Sequence, residues 1–190
     1  MNRLSGIAAL VAVLSILSTS ALSQDGSIKG WHSGAVDSPD YVSGLGQPPG
    51  RSGKPAAFLR AKISAPSGFG QLMQDIKPDA YVGGRVRLTA NIRTIDAGHA
   101  VVWISDGNTS ATVDIGGKTQ AGTTDWKRYE LVTDVSDKSK RIQFGIALTG
   151  KGTIWADSFS LDPVSKDVPL TSRAPAPVTP SAPVNLNFEQ

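Results

Sequence analysis

Strict two-residue alternation across residues 85–93 constrains this chain more than any other feature. Val86, Leu88, Ala90 and Ile92 alternate there with Arg85, Arg87, Thr89, Asn91 and Arg93. Successive side chains of a strand point to opposite faces, so one face is apolar and the other is polar. Residues 141–149 repeat the pattern, with Ile142, Phe144, Ile146 and Leu148 on the apolar side. Helical spacing is nearly absent beyond residue 24. Further strands are expected at 56–63, 70–76, 99–105, 111–115, 126–134 and 153–161, and residues 44–54 read as a Gly/Pro/Ser loop without apolar period. Asp106-Gly107-Asn108 and Gly116-Gly117-Lys118 suit tight hairpin turns. Short alternating strands with such turns predict an all-β sandwich or barrel.

The first 23 residues are set aside from that fold as a targeting signal. Arg3 is followed by an apolar run over 7–17, and Ala21-Leu22-Ser23 offers small residues where a signal peptidase cuts. About 11 apolar residues are short against the roughly 20 that cross a bilayer. Cleavage after Ser23 is therefore expected, with secretion or export to a periplasm and no stable membrane insertion afterwards. The chain contains no cysteine, which leaves packing or a metal ion to hold an exported fold. Net charge is +3, of which Arg3 carries one, and it is scattered too evenly to point to nucleic acid.

Several segments, in order, resemble carbohydrate-binding modules of the galactose-binding-like jelly-roll type. Residues 58–63 and 70–76 resemble their paired early strands, and Tyr81-Val82-Gly83-Gly84 their turn into the long strand. Thr124-Asp125-Trp126-Lys127-Arg128-Tyr129 matches their W-x-x-Y segment, and residues 152–161 their final strand. The resemblance covers most of residues 30–161 and implies a jelly-roll β-sandwich of two antiparallel sheets over 24–171. It also implies a non-catalytic module that binds a saccharide or cell-envelope glycan. A structural or protein-interaction domain on the same scaffold, without a sugar site, is the alternative.

Such modules begin with a strand resembling Asn-x-x-Phe-Glu ahead of a Gly-Trp pair. Here Gly30-Trp31 has no such strand before it, and the match falls at Asn185-Leu186-Asn187-Phe188-Glu189. A lone strand cannot satisfy its own backbone hydrogen bonds. Residues 184–190 are expected to return to the sheet edge along the Pro/Ala-rich arm 172–183, which is of order 30 Å long when extended. Donation to a second copy, giving a strand-swapped dimer, is an alternative reading, as is a tail or the start of a further module.

Asp157 alternates with Trp155, Phe159 and Leu161, which reads as a carboxylate on a core-facing row. A buried carboxylate needs a cation or several donors. In the resembled modules the matching aspartate and the glutamate of the Phe-Glu strand lie near a structural calcium, which pairs Asp157 with Glu189 here. Ser158 stands where a second aspartate is usual. For the sugar, an apolar pyranose face stacks on an aromatic ring while its hydroxyls take polar partners. Trp103 in mid-strand, Trp31 and Tyr41 in the N-terminal part, and Arg87, Asn91 and Arg93 on the polar face are the candidates. Trp126, Tyr129 and Trp155 read as packing residues. Two histidines, His32 and His99, and an imperfect phosphate-loop likeness at 50–55 offer no catalytic motif.

Overall fold

The computed structural model describes residues 28–34 and 38–171, and within them there is no helix. The expected signal segment 1–23, the Pro/Ala-rich stretch 172–183 and the expected strand 184–190 lie outside the described residues. Ten strands are present among the described residues: β1 (His32–Ser33), β2 (Tyr41–Pro49), β3 (Pro55–Ala61), β4 (Phe69–Ile76), β5 (Arg85–Ala97), β6 (His99–Ser105), β7 (Ser110–Asp114), β8 (Gly122–Asp134), β9 (Ile142–Thr149) and β10 (Thr153–Val164). They form two five-stranded sheets, ordered β1-β4-β9-β6-β7 and β2-β3-β10-β5-β8, with every pairing antiparallel. This is the two-sheet sandwich that the alternation implies.

The core lies between the sheets and is built from the alternating rows. Val86, Leu88, Ala90 and Ile92 of β5 and Ile142, Phe144, Ile146 and Leu148 of β9 belong to it from the two sheets, all of them buried. Arg85 leaves the end of its row to hold the chain after β10. Its Nε donates to Asp134 at 2.8 Å, and its Nη1 donates to the Lys166 carbonyl at 2.7 Å. The bond from Arg85 holds the Asp134 carboxyl below its ordinary range.

Two expectations are corrected. Residues 44–49 are not loop: β2 pairs with β3 from Tyr41↔Ala61 to Pro49↔Pro55, and only the tight turn 50–54 follows. An edge strand takes its hydrogen bonds from one neighbour, so it needs no apolar period of its own. Nor does Asp157 share a face with Phe159 and Leu161. A bulge between Asp157 and Ser160, with Ser158 at φ 55°, shifts the phase of β10. Trp155 and Asp157 therefore point outward with Arg93 and Asn91, while Phe159 and Leu161 turn into the sandwich.

Candidate functional site

Antiparallel register assembles the candidate site on the outward face of the first sheet. Trp103 of β6 stands between Gly145 of β9 and Thr112 of β7. On one adjoining rung, Val101 lies between Ala147 and Asp114, with Gln71 beyond Ala147. On the other, Ser105 lies between Gln143 and Ser110. The half-buried indole is thus flanked by a residue with no side chain and by hydroxyl and amide groups. The outcome is a trough of about 260 Å³ lined by Gln71, Val101, Trp103, Ile104, Ser105, Ser110, Thr112 and Ala147. An apolar floor with polar walls is the chemistry that accepts a pyranose face and its hydroxyls. At the rim, His99 Nε2 and Asp114 Oδ1 are 2.8 Å apart, which orients both side chains.

The turn beyond Trp103 is anchored by a carboxylate that sequence reading took only for a turn residue. Asp106 is 4% exposed. It accepts from the backbone N–H of Asn108 (2.7 Å), Thr109 (2.5 Å) and Ser136 (2.7 Å), and from the Ser139 hydroxyl. Burial pushes its pKa up, but the bonds from Ser139, Thr109, Ser136 and Asn108 outweigh it and bring the value down to about 2. The β6–β7 hairpin carrying Trp103 is thereby tied to the β8–β9 connection.

The other expected ligand residues do not converge on this trough. Arg87, Asn91 and Arg93 lie on the outward face of the second sheet, opposite Val132, Arg128 and Trp155 respectively. Arg87 Nε is 3.7 Å from Glu130, which also takes Arg128 Nε at 3.3 Å, so part of that face is occupied by its own ion pairs. Ala56, Phe58 and Trp155 form a small second apolar cluster there, with Val42 and Trp126 against it. The Trp155 indole N–H is buried and has no partner among the described residues. Tyr41 is 8% exposed, and its hydroxyl donates to the Gly150 carbonyl at 3.2 Å and accepts from the Gly150 N–H at 2.9 Å. It staples β2 to the β9–β10 turn and offers no ring to a ligand. Trp31 sits between the sheets, edge-on to Phe144 (centroids 5.7 Å) and tilted against Phe159 (4.8 Å).

Asp157 is capped by the 50–54 turn. Its Oδ2 accepts from Ser52 N–H at 2.9 Å and its Oδ1 from the Ser52 hydroxyl at 3.2 Å. Glu189, its expected companion, lies outside the described residues. Among the described residues no three His, Asp or Glu side chains gather as a cation site. Calcium prefers six to eight oxygens. One carboxylate already bonded to donors does not supply that cage, so the described residues alone do not fit the ion.

No protein-family model matches the chain. The Uncharacterized HTH-type transcriptional regulator YbfP of Bacillus subtilis (strain 168) is 30% identical over 169 residues, a match spanning 86% of this chain and 57% of that protein. The chain thus spans little more than half the length of that relative. The described residues hold no helix and so no helix-turn-helix. Among solved structures, TmCBM61 in complex with β-1,4-galactotriose aligns with TM-score 0.52 and 17% identity, over 77% of this chain and 100% of that one. The CBM22-1 xylan-binding domain from Paenibacillus barcinonensis Xyn10C aligns with TM-score 0.52 and 12% identity, over 75% and 90%. A Stig cyclase, Fisc from Fischerella sp. TAU, aligns with TM-score 0.51 and 14% identity, over 78% and 94%. At these identities the likeness establishes the fold, the jelly-roll β-sandwich of carbohydrate-binding modules, and that scaffold also carries enzymes.

Proposed function

We propose that the chain is a non-catalytic saccharide-binding module of an exported protein, with Trp103 as its stacking platform. The observation that carries this reading is the trough around Trp103. The register flanks one ring with Gly145 and Ala147, which leave it uncovered, and with Thr112, Ser105 and Gln71, which supply polar groups. One structural neighbour in complex with β-1,4-galactotriose and another described as a xylan-binding domain support the ligand class. Export rests on Arg3, the apolar run 7–17 and Ala21-Leu22-Ser23.

The test is binding of the purified protein to a glycan panel that includes β-1,4-galacto-oligosaccharides and xylan, followed by calorimetry on the best ligand. Trp103→Ala is expected to weaken affinity at least about thirtyfold, or about 2 kcal/mol, the effect typical of a central aromatic anchor. Trp126→Ala, on the opposite face of the sandwich, is expected to bind as the unaltered chain does. Absence of binding across the panel would leave an interaction scaffold as the function. Turnover of chromogenic glycosides would contradict the non-catalytic reading.

A further inference from the structure

Beyond Ala156, β10 pairs with β5 alone, through Asp157 and, after the bulge at 158–159, through residues 160–164. On the other side β3 pairs with residues 153–156, and the chain then leaves through the 50–54 turn. Beyond Asp157, β10 therefore presents an open edge among the described residues. Beside that edge the sandwich holds a groove of about 490 Å³. Ala57, Ala156, Phe159 and Leu161 line it from the second sheet, and Ile76 and Phe144 from the first. An unpaired backbone row next to an apolar gap is the docking site of an added strand.

We propose that residues 184–190 of this chain add to the open edge of β10, with Leu186 and Phe188 filling the groove. The two side chains are two positions apart and so share one face of a strand. The connection can reach. Thr171 is held at the outer edge of β8, its N–H donating to the Val132 carbonyl at 2.9 Å, and Val132 stands in the rung Val132–Arg87–Asp162. From Thr171, outside β8, to a strand beyond β10 is four strand spacings, roughly 19 Å at ~4.8 Å each. The twelve residues 172–183, rich in proline and alanine, extend to about 37 Å at ~3.1 Å per residue. The segment occupies a place apart from the Trp103 trough, so this proposal and the saccharide reading stand or fall separately.

Hydrogen exchange on the full chain, read by NMR at two protein concentrations, tests it. The amides of 158–164 that do not bond β5, together with those of 185–189, are expected to exchange at least about a hundredfold more slowly than in an unfolded chain. Phe188→Asp is expected to abolish that protection while β5 and β8 amides stay protected, which reports that the variant is folded. In a chain ending at Pro183, a peptide of residues 184–190 is expected to restore it. Unprotected amides in the intact chain, or protection unchanged by Phe188→Asp, would overturn the proposal. So would protection that grows with protein concentration, which assigns the groove to a second copy, or protection seen only with added oligosaccharide.

Discussion

Asp106→Ala is expected to lower the melting temperature by about 6–12 °C, equivalent to about 3 kcal/mol. The carboxylate is buried and accepts from three backbone N–H groups and the Ser139 hydroxyl. Removing it leaves those donors inside the protein with nothing to bond, and a buried unmade bond costs more than a made one returns. The same carboxylate makes stability pH-dependent. Its pKa is 3.8 by reference and about 2 in the fold. The folded state thus favours the charged form, and the contribution, about 2 kcal/mol, is fully present above about pH 4. It disappears as pH falls from about 4 through 2. Thermal unfolding by circular dichroism at pH 7, 4 and 2 reads this directly. The gap in melting temperature between the unaltered chain and Asp106→Asn should narrow toward pH 2. An Asp106→Ala variant melting within about 2 °C of its parent at pH 7 would remove the anchor role.

Gly145→Ala is expected to destabilise the protein by about 3 kcal/mol, the upper end for forcing extra volume into a packed structure. Gly145 sits in mid-strand between Met73 of β4 and Trp103 of β6. A Cβ placed there would lie 2.1 Å from the Leu72 carbonyl oxygen and 2.8 Å from the Met73 Cα. These obstacles are backbone and cannot swing aside, so β4 and β9 would have to part. Glycine in a strand interior marks just such a close approach. Calorimetric unfolding measures the loss, and protection of the Leu72–Met73 amides against hydrogen exchange should fall with it. A variant as stable as its parent would mean that the sheet opens there at little cost. The position bears on the site as well, because the missing side chain is what leaves one flank of Trp103 uncovered.

The strands legible in the sequence were those whose own side chains alternate. In β5 and β9 the expected inward rows are the buried rows, because a sandwich strand has one face on the core and reports it every second residue. β2 was not legible. Gly44 and Gly46 lie opposite Phe58 and Ala56, a pairing that belongs to β3 as much as to β2. The bulge at Ser158 was equally hidden, and it moved Asp157 from the expected inner row to the outer face. Asp106 showed itself only as a turn residue, since half of its partners, Ser136 and Ser139, arrive from thirty residues away.

Period-two hydrophobicity and turn chemistry sufficed to indicate an all-β sandwich or barrel, and the order of motifs to suggest its jelly-roll form; Trp103 stood as one of six candidate ligand residues. Those signals are local, and each strand carries them within itself. The company that Trp103 keeps was decided by tertiary structure alone. Gly145, Thr112, Ala147 and Gln71 meet it through the register of four strands, while Tyr41, Trp31 and Arg93, its expected companions, were carried to the core, the gap between the sheets and the opposite face. Register depends on which strands neighbour one another and where bulges fall, and those are properties of the assembled sheets rather than of any one segment.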